Sequence, residues 1–248
     1  MKNKVIILLL LVACVCCKKK EDEFTNEPVP EAEIPVGPTS GYDALFSNIK
    51  TYSKNSGVYT LSGDQNTGYY SGKTIGNEIY NAADLQNIGG VVLNNIVLKT
   101  RSTFADHYYN DTTHSAFTAP YSWKILGSSV VDSFSFANPN PLPEFPLAAQ
   151  IADSVNISSG LTIRLKGVTG CDLIRVLLMA GGQSINKLTA GTDSLIMLSP
   201  ADMASLSATN TGYLSVQLYK DNYRKINGKK VNFRTGVAYA NAAFKVKE

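Results

Sequence analysis

The body of this chain is nearly free of cysteine. Cys14, Cys16 and Cys17 cluster near the N-terminus and only Cys171 follows, so a disulfide within residues 41–248 is excluded and packing has to supply the stability. Cys171 lies between Gly170 and Asp172 with no neighbouring base, and reads as a structural thiol. Histidine is almost as scarce. His107 and His114 are the whole supply, and seven positions apart they share neither a helix face nor one side of a strand. Of the 20 acids, Glu21, Asp22, Glu23, Glu27, Glu31 and Glu33 precede residue 40, and Glu78, Glu144 and Glu248 are the only later glutamates. That thinness argues against a multi-carboxylate cation site and leaves any pair suited to glycoside hydrolysis unmarked. Gly-x-Ser-x-Gly, His-Glu-x-x-His and Gly-x-x-x-x-Gly-Lys-Ser/Thr are missing too, which removes the usual signatures of serine hydrolases, zinc peptidases and phosphate loops.

Excess charge of one sign is also lacking. The formal charge of +3 drops to +1 without Lys2 and Lys4, too little to attract nucleic acid, which is excluded as a partner. The apolar run Val5 to Val12 has eight residues, whereas a membrane-spanning helix needs about 20. With 44% hydrophobic and 17% charged residues, the rest of the chain is expected to fold as a globular body.

What is present is most specific at the N-terminus. Lys2 and Lys4 precede the apolar run and Leu11-Val12-Ala13-Cys14 closes it, the layout of an export signal. These four residues resemble the bacterial lipobox, in which a leucine, a small or β-branched residue and a small residue precede a cysteine. The resemblance implies cleavage after residue 13, leaving residues 1–13 as a signal peptide, and diacylglyceryl transfer to the Cys14 thiol, the anchor being palmitate-type acyl chains. Cys17 is the alternative acceptor, but Cys14-Val15-Cys16 before it fits the pattern poorly. Each buried methylene contributes about 0.8 kcal/mol, so several acyl chains would hold the body to a lipid bilayer.

Residues 14–40 read as a lipidated cysteine followed by a disordered tether. Pro28, Pro30, Pro35 and Pro38 lie in a stretch without a sustained apolar period, and extended proline-rich geometry at about 3.1 Å per residue would lift the body at most about 70 Å from the lipid, less where the tether flexes. The run Lys18-Lys19-Lys20-Glu21-Asp22-Glu23 resembles the export signals of surface lipoproteins in the Bacteroidota, which implies display on the outer leaflet of an outer membrane. A solvated charge run on a periplasm-facing lipoprotein is the other reading.

Past Gly41, short apolar runs separated by Gly, Asn, Asp, Ser and Pro clusters predict an all-β, antiparallel body. Leu161, Ile163 and Leu165 alternate with polar residues, as do Leu214, Val216 and Leu218, and Phe244 and Val246 in the final strand. Gly181-Gly182 and Asn227-Gly228 are hairpin turns of the kind that require positive φ. Ser199-Pro200-Ala201-Asp202 predicts one short helix near 199–207. The prolines of residues 138–143 suggest a boundary, giving an N-terminal β-domain over 41–143, small and rich in loops, and an immunoglobulin-like β-sandwich over 144–248. In the first, Val58 to Leu61, Val91 to Leu93, Ile96 to Phe104 and Val130 to Phe136 are expected strands.

Candidate binding residues are aromatic. Nine of 13 tyrosines and the lone tryptophan precede the boundary, and flat rings with polar tips suit sugars and protein hot spots. Trp123, Tyr121, Tyr108 and Tyr109 are the speculative ligand-binding set; the alternative is that such rings fill a glycine-rich core. The cluster from Asp106 to His114 offers two imidazoles and two carboxylates, yet reads better as an exposed loop closed by Asx turns. Lys220, Arg224, Lys225, Lys229, Lys230 and Arg234 either attract an acidic polysaccharide or lipid phosphate, or guard strand edges. No catalytic residue, metal or cofactor is implied. The expectation is a membrane-anchored, non-catalytic binding module for a glycan or protein partner; the alternatives are a glycan-active hydrolase and a structural component of an envelope assembly.

Overall fold

The structure, a computed structural model, describes residues 27–28, 41–76, 81–101, 105–146 and 148–248. The leader, Cys14 and the tether apart from residues 27–28 lie outside the described residues. Among those described, no helix is long and apolar enough to cross a membrane.

The body is all-β. After the two-residue β1 (Glu27–Pro28), the first half holds β2 (Tyr42–Asn55), β3 (Val58–Ile75), β4 (Val91–Leu93), β5 (Ile96–Arg101), β6 (Ala105–Asn110), β7 (Tyr121–Ile125) and β8 (Phe134–Asn138). The second holds β9 (Ser154–Asn156), β10 (Leu161–Arg164), β11 (Leu173–Ala180), β12 (Gln183–Ala190), β13 (Leu195–Leu198), β14 (Thr209–Lys220), β15 (Tyr223–Ile226) and β16 (Lys229–Lys247). Among the described residues one α-helical turn is present, over Pro200–Met203. Ser199 caps it as its sequence suggests: the hydroxyl accepts from Asp202 N at 3.1 Å, and the Asp202 carboxylate accepts from Ser199 N at 2.8 Å.

Both expected hairpin turns form. Gly181-Gly182 joins β11 to β12 with φ of 58° and 79°, and Asn227-Gly228 joins β15 to β16 with 52° and 78°, the left-handed pair that matches strand twist. Ser56-Gly57 and Asn94-Asn95 make the same kind of turn between β2 and β3 and between β4 and β5.

Most strands pair antiparallel within a 14-stranded sheet whose main path runs β12-β11-β14-β16-β2-β3-β6-β5-β4-β7-β8. Among the described residues two pairings are parallel: β16 with β2, from Val231↔Ala44 to Ala240↔Ser53, and β16 with β9. A tight turn imposes opposite directions only on strands adjacent in sequence, and β2 and β16 are too far apart for any turn to dictate theirs.

Two main cores sit on this sheet. In the second half, β10 and β13 form a separate layer whose Leu161, Ile163, Ile196 and Leu198 pack with Ile174, Val176, Leu178, Leu214, Val216, Leu218, Phe244 and Val246. This is a sandwich driven by the alternation seen in the sequence. In the first half the sheet curls around Phe46, Val91, Leu93, Tyr109, Tyr121, Trp123, Ile125 and Phe134, and the same core takes in Ile226, Val231 and Phe233. Asn138 of β8 reaches back to β16, its Nδ2 donating to Phe233 O at 3.0 Å. The strand β16 therefore belongs to both cores.

A candidate binding groove on the parallel seam

Because side chains alternate along strands, the registers of β3, β2 and β16 set out rows on one face of the sheet. Tyr70, Ala44 and Val231 make the first, then Gly68, Phe46 and Phe233; Asn66, Asn48 and Thr235; and Asp64, Lys50 and Val237. Tyr52 and Tyr239 follow as direct partners. The face passes from an aromatic core to a polar row and then to a half-buried aromatic one.

A groove of about 550 Å³ opens above this last part, lined by Lys50, Tyr52, Phe117, Tyr121, Glu144, Phe145, Val237 and Tyr239 among others. The Tyr52 and Tyr239 rings stack with centroids 5.4 Å apart and planes 13° from parallel. Edges of Tyr59, at 5.4 Å, and Phe145, at 5.8 Å, brace Tyr239. One wall is the proline-rich strap 141–146, whose missing donors suit an extended course outside a ladder. It is held where Glu144 and Thr169 exchange backbone hydrogen bonds at 3.1 Å and where Thr235 Oγ1 donates to Pro141 O at 3.2 Å.

Phe117, Thr118 and Ala119 add to the lining, and the turn that leads to them is fixed by two buried carboxylates. Burial opposes ionisation of Asp111, but donation from Thr113 Oγ1 at 2.5 Å, Thr113 N at 2.8 Å, Ser115 N at 2.7 Å and Asn66 Nδ2 at 3.2 Å brings its pKa down to about 2. Asp64 is the reverse case. Its burial raises the pKa despite Phe117 N donating to Oδ2 at 3.2 Å and despite nearby Lys50 and Asn48, and among the described residues no hydrogen bond to its Oδ1 meets the geometric limits. Burial, helped by the Asp64 charge, also pushes the Tyr121 phenol up to about 12, and burial raises Tyr239, so both keep their protons at neutral pH and remain potential donors.

The predicted ligand-binding residues separate. Tyr121 lines the groove. Trp123 is fully buried in the first core, 5.6 Å from Phe46, with no hydrogen-bond partner for Nε1 among the described residues. Tyr109 is buried there as well, its hydroxyl donating to Asn87 Oδ1 at 3.2 Å, while Tyr108 stacks on Tyr69 at 5.7 Å in another cluster. Strand alternation sends these two neighbours to opposite faces. Residues 105–110 form β6 rather than an exposed loop; the Asx-type turn begins only at Asp111, where Thr113 N closes back on the carboxylate. His114 Nδ1 lies 3.2 Å from the Asp64 carbonyl oxygen, and no group of three or more His, Cys, Asp or Glu among the described residues is placed to hold a metal.

Of the basic cluster, Lys220 pairs with Asp172 at 2.7 Å, Arg234 with Asp221 at 2.6 Å, Arg224 lies 5.0 Å from the Phe136 ring centre and Lys230 4.5 Å from that of Tyr223. Cys171 is half-buried with Sγ donating to Leu173 O at 3.1 Å, and burial pushes its pKa up to about 11, so it is a poor nucleophile.

No short-range pattern in the sequence distinguishes Tyr239, Lys50 or Phe145. The spacing Lys50-Tyr52-Lys54 carries a strand-like signal, but only the long-range pairing of β2 with β16 places Tyr239 beside it. Comparison with protein-family models, with curated proteins and with solved structures finds no match to this chain.

Proposed function

We propose that this chain is a lipid-anchored lipoprotein of a bacterial outer membrane, displayed at the surface, whose β-body is a non-catalytic binding module that takes a glycan into the groove on the β2·β16 seam. Leu11-Val12-Ala13-Cys14 and the proline-rich tether support the anchor. The observation that carries the binding reading is the Tyr52–Tyr239 pair, half-buried in a groove that also offers the Lys50 ammonium and the Glu144 carboxylate. Apolar ring surface beside a few polar groups matches a sugar, which has a C–H face and a hydroxyl edge. A protein partner would meet the same aromatic anchor as a hot spot.

The test is a glycan screen of the full chain, repeated with Tyr239→Ala and Tyr239→Phe. Binding lost in the first variant and largely kept in the second supports the reading; a bound glycan indifferent to Tyr239→Ala refutes it, and turnover of the bound polymer would replace it with the hydrolase reading. Metabolic palmitate labelling of wild type and Cys14→Ser checks the anchor separately.

A further inference from the structure

Beside the tip of the β15–β16 hairpin lies a smaller cleft of about 280 Å³. Tyr70, Val131, Phe134, Ile226 and Val231 line it, all five of them members of the first core, and Val130, 50% exposed, adds to the lining. The core is therefore open at this point. A cavity of about 150 Å³ already accepts benzene, so the cleft has room for a phenyl ring. Lys229, also in the lining, and Lys225 on the facing strand are exposed, and neither makes an ion pair with a described side chain.

The chain itself supplies a ring. β1 pairs antiparallel with the edge of β15 that β16 leaves open, Glu27 opposite Lys225 and Pro28 opposite Arg224. β15 runs towards the turn at Asn227-Gly228, so the antiparallel β1 is entered from that turn, on the side where the cleft lies. Residues directly opposite each other share a face, which puts Pro28 with Arg224 and, by alternation, with Ile226. The same alternation, continued towards the N-terminus, assigns positions 26 and 24 to the face that carries the cleft. Position 24 is Phe24, the one aromatic residue before Tyr42, and it directly follows Glu21-Asp22-Glu23, whose charge complements Lys225 and Lys229. Phe24 is outside the described residues.

We infer that the tether docks on the body, with residues 24–28 adding a strand to β15 and the Phe24 ring filling the cleft. Main-chain bonds to an open edge give such a segment affinity, and a pocket for an alternate side chain gives it specificity. The docked strand also covers an edge that would otherwise invite foreign pairing. Phe24 follows Cys14 by ten residues, at most about 35 Å of chain, so the body is held at about half the height that an undocked tether allows. That height rests on the anchor reading at Cys14; the docking does not.

Photocrosslinking of the full chain with p-benzoylphenylalanine in place of Phe24, mapped by mass spectrometry, tests it. Adducts within residues 129–134 and 226–231 of the same copy are expected. Adducts elsewhere in the body, or none, overturn the inference, and adducts joining two copies overturn it by giving the cleft to a second copy's tether. In hydrogen exchange, Phe24→Ser should speed the β15 amide that faces β1 about tenfold, with Phe24→Leu close to wild type and residues 214–218 unchanged. Equal exchange in wild type and Phe24→Ser overturns the inference as well. Cleft adducts in a wild type that takes no palmitate label keep the docking and remove the anchor, whereas label without those adducts keeps the anchor and removes the docking.

Discussion

Arg234 grips Asp221 with both arms of its guanidinium, Nε donating to Oδ1 at 2.6 Å and Nη2 to Oδ2 at 3.0 Å, in a pair whose side chains are 2% and 7% exposed. Burial by itself would raise the Asp221 pKa, but the adjacent Arg234 outweighs it and holds the carboxyl below the usual range. A depressed folded-state pKa gives stability that is present above the unfolded value of about 3.9 and lost as pH falls through the folded value. Asp221→Asn is expected to cost about 3–5 kcal/mol in urea unfolding at pH 7, because it leaves a buried guanidinium unmatched. The gap to wild type should close as the pH drops below about 4; a gap that does not narrow in acid would show that ionisation of Asp221 is not its source.

Asp64 is linked to pH in the other direction. Its raised pKa means that its contribution is complete below the unfolded value and lost as pH rises through the folded one. Asp64→Asn keeps an acceptor for Phe117 N and removes the buried charge, so it should stabilise the protein at pH 7 by about 1 kcal/mol and lose that advantage near pH 3. A destabilised Asp64→Asn at pH 7 would mean that the carboxylate is needed as an anion.

For Asp111, with a pKa of about 2, the linkage again favours the ionised form. Its protonation should cost wild type about 2 kcal/mol between pH 4 and 2. Asp111→Ala removes the acceptor shared by Thr113, Ser115 and Asn66, and should speed hydrogen exchange at the amides of Thr113 and Ser115 more than in the sandwich.

Trp123→Ala and Tyr239→Ala should separate stability from binding. Trp123 is completely enclosed, so its loss is expected to cost about 3–5 kcal/mol in unfolding. Tyr239 is half-buried at the groove and should show the smaller stability loss and the larger effect on ligand affinity. Equal effects of the two changes on both measurements would contradict this division.

Local patterns carried much of the architecture into the sequence. Alternation at Leu161–Leu165 and Leu214–Leu218, glycine pairs at the turns and the Ser199 cap act over a few residues, and the corresponding elements form where expected. What was not legible is long-range. Ser47, Asn48 and Asn66 make the middle of β2 and β3 look like loop, yet they are buried in hydrogen-bonded rows. Tyr121 and Trp123 both read as exposed aromatics, and only the curl of the sheet decides that the first lines the groove and the second closes a core. Lys50 and Tyr239, central to the groove, are joined by a pairing that no short-range signal encodes.

The pairing of β2 with β16 also orders events in time. Lys230 N donates to Asp43 Oδ2 across 187 residues of chain, so the segment from Ala44 to Ser53 waits for its neighbour until nearly the whole body has been synthesised. Contacts this remote in sequence make folding slow, and a copy broken off before Lys229 keeps a bare strand edge with Phe46 deprived of Phe233, a template for wrong pairing.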